Sequence, residues 1–256
     1  MRMAGYIAVH SFRGGTGKTT FALNLSLVEA MNGRNVCIMD MDLRAPNVAP
    51  ILGLKPKLWI NDYLNGDISI RESAIDITKN FNLSGKFLIV PANPNMQDIR
   101  AYVMRSRKWE INALKRLLDT RSILLDEMGM NRVVMDTSPG ISYLSINSLA
   151  ASDVALIITS SDSNDIEATA KMVKYFYNAI GCEPFVIVNR FIGDSSQLKK
   201  VSDKVYSTVG APVIGVINCY CDLVRYESPK LLVLENPTHP YVKSLQEISE
   251  KISELI

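Results

Sequence analysis

A chain of 256 residues, 47% hydrophobic and 21% charged, has the length and apolar content to bury a large core without disulfides or metal, which excludes a disordered polypeptide. Its 28 basic and 26 acidic residues leave a formal charge of +2, too balanced for net charge to argue nucleic-acid binding, so any basic surface has to be local. No stretch approaches the ~18 apolar residues of a membrane span, and Met1 to Val9 lack the layout of a signal peptide, so a cytoplasmic protein is expected.

Short apolar runs recur along the chain, each followed by a turn signal and a helix-like stretch. That pattern predicts an α/β fold, a mostly parallel central sheet with helices on both faces, in one domain over 1–256. The expected strands are Tyr6–Ser11, Asn35–Met41, Phe87–Pro91, Arg132–Asp136, Val154–Thr159, Pro184–Asn189 and Pro212–Ile217, each apolar at nearly every residue as buried parallel strands are. Helices are expected at Thr19–Met31, closed by Asn32 and Gly33, at Asp165–Ile180, closed by Gly181, and at Tyr241–Ile256, preceded by Pro240. Asn95–Met130 is rich in Arg and Lys, and Ile111, Leu114, Leu117 and Leu118 have helical spacing, which predicts one or two helices.

The first of these helices follows Gly14-Gly15-Thr16-Gly17-Lys18-Thr19-Thr20, which itself follows the first strand. Glycines let successive backbone N–H groups point inward at a helix N-terminus and form a nest for phosphate oxygens. Lys18 then supplies a point charge to β- and γ-phosphates, and Thr19 a hydroxyl for Mg²⁺. A general Walker A loop needs glycine where this chain has Phe12. The run from Arg13 to Thr20 instead resembles the deviant Walker A loop of the MinD/ParA family, usually K-G-G-x-G-K-T-T. The resemblance implies a P-loop NTPase fold with ATP and Mg²⁺ as ligands.

Further along, Asp40-Met41-Asp42 ends the second strand, Asp136-Thr137-Ser138-Pro139-Gly140 ends the fourth, and Asn189-Arg190 ends the sixth. In an open parallel sheet all of these lie at the carboxyl ends of strands, where nucleotides bind. Asp and Asn also end strands for turn chemistry alone. In order they are similar to the family's D-x-D, D-T-P-P-G and V-x-N-R, with Ser138 in place of the first proline. By that resemblance, Asp40 and Asp136 hold Mg²⁺ through water beside Thr19, Asp42 orients or deprotonates the attacking water, and Asn189 and Arg190 contact the base. Family members close over the base with a proline-containing segment, where Asn218 to Asp222 here carries Cys219-Tyr220-Cys221.

The resemblance implies an ATPase switch: ATP joins two copies face to face, and a partner stimulates slow hydrolysis. Arg13 stands where the family's lysine reaches the second copy's phosphates, which makes Arg13, Lys18 and Asp42 the expected catalytic set. A P-loop ligase or kinase of the dethiobiotin synthetase-like type, or a scaffold with little turnover, is the alternative. The segment Arg100 to Arg121, with Arg105, Arg107 and Lys108 beside Trp109, is the candidate surface for DNA phosphates or an acidic protein partner, or else a solvated helix face. The last helix has apolar residues at 245, 248, 252 and 255 and a polar face of mixed charge, expected to close the core rather than bind a membrane. Cys37 and Cys182 are expected as small buried hydrophobes, and Cys219 with Cys221 lacks the partners of a closed zinc site.

Overall fold

The computed structural model describes residues 5–220, 223 and 231–256. Eight strands join into one sheet: β1 Gly5–His10, β2 Val36–Met41, β3 Ile75–Asp76, β4 Phe87–Val90, β5 Arg132–Thr137, β6 Val154–Thr159, β7 Glu183–Phe191 and β8 Val213–Asn218. Their order across the sheet is β3-β4-β2-β5-β1-β6-β7-β8, and every pairing is parallel except that of β3 with β4. The expected α/β architecture is therefore present. The two-residue edge strand β3 was not foreseen, because two residues carry no alternation to read.

The central strands are buried at every residue because helices cover both faces. Ile7 and Val9 of β1 face a core shared with Phe21 and Leu25 of helix α1 (Lys18–Met31), while Tyr6 and Ala8 face the other side. Next come α2 (Val48–Ile51), α3 (Ile60–Asn65) and α4 (Ile70–Ser73). The basic segment forms two helices, α5 (Met96–Val103) and α6 (Arg107–Arg121), the second running on into a π-helical turn at Ser122–Glu127. Ser106 separates them by capping α6, its hydroxyl accepting from the Trp109 N–H at 3.4 Å. The buried face of α6 is Ala113, Leu117 and Thr120; of the expected apolar residues Leu117 is buried and Leu114 half-buried, while Ile111 and Leu118 are 51% and 45% exposed. Spacing identified the helix but not which of its faces meets a neighbour.

After α7 (Tyr143–Ala150), helix α8 (Ser163–Met172) continues through a π-helical turn, Val173–Tyr177, into α9 (Asn178–Ile180), ended by Gly181 at φ +78°. Helix α10 (Leu198–Val209) buries Val201, Val205 and Val209, one per turn. The short α11 (Leu232–Glu235) precedes α12 (Pro240–Leu255), in which Pro240 occupies the first turn and the His239 ring accepts from the Tyr241 N–H. Leu245, Ile248 and Ile252 are buried as expected, whereas Leu255 is 38% exposed and is no core contact. Cys37 and Cys182 are buried, and burial pushes both thiols up to about 12. Cys221 and Asp222 lie outside the described residues, so the Cys219/Cys221 pair and the end of the expected base-closing loop do too. Among the described residues no helix is long and apolar enough to cross a membrane.

Candidate nucleotide site

The loop between β1 and α1 turns on Gly15 and Gly17, at φ +76° and +90°. At Gly17 both conformation and space demand glycine, since a Cβ there would stand 2.7 Å from Asn189 Nδ2. Asn189 donates from that nitrogen to the Thr16 carbonyl at 2.8 Å, so the end of β7 braces the loop from outside. The cleft over the loop, about 380 Å³, is lined by Gly14, Gly15, Lys18 and Thr20 on one side and by Asp42 and Pro139 on the other. Lys18 opens α1 and is only 7% exposed. Burial lowers its pKa, opposed by Asp136 and Asp42.

Asp40 on β2 and Asp136 on β5 are direct neighbours in the parallel register, and both are buried. The Asp40 carboxylate accepts from the backbone N–H groups of Asp42, Asn47 and Val48, each at 3.1 Å, and so shapes the loop that follows β2. Burial and then the charge of Asp136 raise its pKa, against the pull of those N–H groups. Asp136 is raised to about 7 by burial, although the Thr19 hydroxyl bonded to it and the Lys18 ammonium both act to lower it. Its Oδ1 is buried without a hydrogen-bond partner. Two adjacent buried carboxylates, one orphaned oxygen and a threonine hydroxyl fit Mg²⁺, a hard cation that keeps several waters and takes few protein ligands.

Asp42 lies just beyond β2 and is half-buried where Asp40 is fully buried. Its Oδ1 accepts from the N–H groups of Arg44 and Ala45 and from the hydroxyl of Ser138 at 3.0 Å. In the sequence Ser138 shows only as a serine where the family has proline. The structure makes it the link between the two acidic loops. His10 was not singled out at all, yet it is 1% exposed at the end of β1 with both ring nitrogens engaged. The only signal for it was a histidine in an otherwise apolar strand.

The four motifs therefore converge at the carboxyl ends of β1, β2, β5 and β7, bringing Lys18, Thr19, Asp40, Asp42, Asp136 and Asn189 together around one cleft. Over residues 4–181 the chain matches a family profile described as an AAA domain. The chain belongs to the MinD/ParA family of P-loop ATPases. Among its relatives in sequence is an uncharacterized ATP-binding protein of Methanocaldococcus jannaschii, 26% identical over 98% of this chain and 88% of the relative. Another is the antiactivator FleN of Pseudomonas aeruginosa, 26% identical over 82% of this chain and 72% of that one. The fold matches that of the septum site-determining protein MinD from Pyrococcus horikoshii, solved with Mg-ADP, at a TM-score of 0.77 and 19% identity over 99% of this chain and 97% of the other.

Arg190 has a left-handed backbone, φ +56°, where β7 bulges against β8 before ending at Phe191. With Asn189, Asn218 and Tyr220 it lines a narrow slot next to the loop. Arg13 does not line the cleft. Its guanidinium is half exposed and lies 3.9 Å from Asp162 and 4.0 Å from Asp165, at the N-terminus of α8.

Proposed function

We propose that the protein is a Mg²⁺-dependent ATP hydrolase used as a dimerising switch, in which ATP joins two copies and hydrolysis releases them. The observation that carries this reading is the buried, partnerless Oδ1 of Asp136 beside Lys18 and Thr19 at the root of a phosphate nest. Mg²⁺, when bound, neutralises phosphate charge and favours attack at the γ-phosphorus. Gly14 to Thr20 cradle the phosphates with backbone N–H groups, and Lys18 pairs with the β- and γ-oxygens where little solvent remains to weaken it. Thr19, Asp136 and Asp40 are the residues that would hold the cation. Asp42, which lines the cleft, orients the attacking water and accepts its proton. Asn189 and Arg190 meet the base, the Asn189 amide offering donor and acceptor to its edge.

Arg13 reaches the phosphates of the second copy. Its contacts with Asp162 and Asp165 are long, and the pair with Asp162 is exposed on both sides, so it is cheap to exchange for a bidentate phosphate contact. The partner that stimulates hydrolysis is a protein, supported by exposed Met104 at the end of α5 and Ile111 and Leu118 on α6, interleaved with the cations of that segment. That interleaving favours a protein over DNA, and the Arg105 guanidinium is already engaged with Asn65 and the Trp109 ring.

Light scattering after size exclusion tests the reading. The wild type is expected to dimerise with Mg-ATP and not with ADP, in a purified system without DNA. Arg13→Ala is expected to bind ATP as a monomer and lose most hydrolysis, and Arg13→Lys to keep both in part. An Arg13→Ala variant that dimerises and turns over like the wild type would remove the face-to-face mechanism, and dimers that form only with DNA present would make nucleic acid the partner.

A further inference from the structure

His10 ends the strand that launches the phosphate loop, and its ring is enclosed in the protein. Nε2 lies 2.8 Å from the carbonyl oxygen of Gly140, which can only accept, so Nε2 carries the proton. Burial lowers the His10 pKa to about 4 and keeps the ring neutral, so Nδ1 presents its lone pair to the Tyr177 hydroxyl 2.6 Å away. Tyr177 is itself buried and closes the π-helical turn after α8, an irregularity that recurs at functional positions in helices. Nothing in the nucleotide chemistry described above uses either residue.

What they hold is specific. Gly140 also donates its N–H to the Ser11 carbonyl at 2.8 Å, and its carbonyl accepts from the Ser145 hydroxyl at 3.1 Å as well as from His10, so the consecutive residues His10 and Ser11 engage both its polar groups. Gly140 has φ +70°, and a Cβ there would stand 3.4 Å from the Phe12 oxygen, which leaves the loop little freedom at this point. Two residues earlier, Ser138 donates to Asp42, and the intervening Pro139 has a fixed φ and packs over Gly14. A displacement of Gly140 is therefore passed through a stiff residue to the hydroxyl that orients Asp42.

We propose that His10, itself oriented by Tyr177, is a positioning residue that anchors the loop Ser138–Gly140 and through it holds the Asp42 carboxylate in place. This deepens the hydrolase reading and rests on it. Outer hydrogen-bonding groups of this kind are worth about 10- to 100-fold in other sites. The π-helical turn gives the anchor a second end, on the face of the sheet away from α1, so a change in that turn reaches the site through the same two hydrogen bonds.

The test uses the full chain with Mg-ATP and the variants His10→Leu, His10→Gln, Tyr177→Phe and Ser138→Ala. His10→Leu is expected to lower kcat about tenfold while calorimetry finds ATP affinity within about twofold, because Lys18 and the phosphate nest are untouched. His10→Gln, which can still donate to the Gly140 carbonyl, is expected to recover most of the loss, and Tyr177→Phe to fall between them. Adding Ser138→Ala to His10→Leu is expected to cost little more, since both break one chain of contacts. Hydrogen exchange is expected to show the Gly140 amide less protected in His10→Leu without nucleotide. A wild type that binds ATP and never turns it over overturns the hydrolase reading and this inference with it. A wild type that turns over, with His10→Leu matching it in kcat and in exchange, overturns the inference alone. Fully additive losses, or a loss in ATP affinity equal to that in kcat, overturn it as well.

Discussion

Strand β5 carries a buried charge near each of its ends, and the two ends treat it oppositely. At the amino end, Arg132 faces Glu29 at 3.5 Å, Glu29 also pairs with Arg34 at 3.2 Å, and the Ser249 hydroxyl donates to Glu29 at 2.8 Å. Arg132 further donates to the backbone oxygen of Ile256, so the cluster ties α1, β5 and α12 together. At the carboxyl end, Asp136 and Asp40 stand side by side, two buried carboxylates with Lys18 as the nearby cation. Charges that are matched inside the chain secure the fold. Charges left in excess hold a pKa far from its ordinary value, and they mark the end where a ligand supplies the balance.

The comparison breaks most sharply if the two ends are exchanged in their effects. Lys18→Ala removes the cation from the unbalanced end, and Mg-ATP affinity is expected to fall beyond about 100-fold, with no heat of binding left in calorimetry. The fold is expected to survive. Glu29→Ala acts at the balanced end and leaves two guanidinium groups together, a loss of about 3–5 kcal/mol in denaturant unfolding. Where enough folded protein remains, its ATP affinity is expected to match the wild type.

Asp136→Asn sharpens the contrast through pH. The folded protein holds the Asp136 proton up to about 7, while an unfolded aspartic acid releases it near its ordinary value of 3.8. A raised folded pKa means that the stabilisation is full below the unfolded value and is lost as pH rises through the folded one. Nucleotide-free wild type is therefore expected to lose about 2–4 kcal/mol relative to Asp136→Asn across that window. Parallel unfolding curves between about pH 4 and pH 8 would remove the claim that this end is unbalanced. The smallest effect belongs to the terminal helix: Leu255→Ala is expected to change stability by less than about 0.5 kcal/mol, against about 2–5 for the buried Ile252→Ala.

How far the sequence could be read follows from the distance over which each feature is encoded. The glycine loop, Asp40 with Asp42, the turn at Asp136 and the end of β7 are contiguous runs, and each declares its strand, turn and chemistry locally. The fold followed from the same local patterns. The link from Ser138 to Asp42 joins residues 96 apart, and that from His10 to Tyr177 joins residues 167 apart, so neither is written in any window of the chain. Apolar spacing marked α6 and α12 as helices, but Ile111, Leu118 and Leu255 stayed exposed because spacing does not say where a neighbouring element ends. Arg105 shows the same limit in charge. It reads as a free cation in the sequence, and in the structure it bonds Asn65 and lies over Trp109.

The central claim is that the unbalanced end of the sheet hydrolyses ATP with Asp42 acting on the attacking water. Paired calorimetry and single-turnover hydrolysis on wild type and Asp42→Ala, both with Mg-ATP, test it most directly. Asp42 lines the same cleft as the phosphate loop and is held there by Ser138 and by the backbone of its own loop. The account predicts equal ATP affinity within about twofold, hydrolysis slowed at least about 100-fold, and a persistent ATP-bound dimer in the variant. Hydrolysis by Asp42→Ala at the wild-type rate would contradict it.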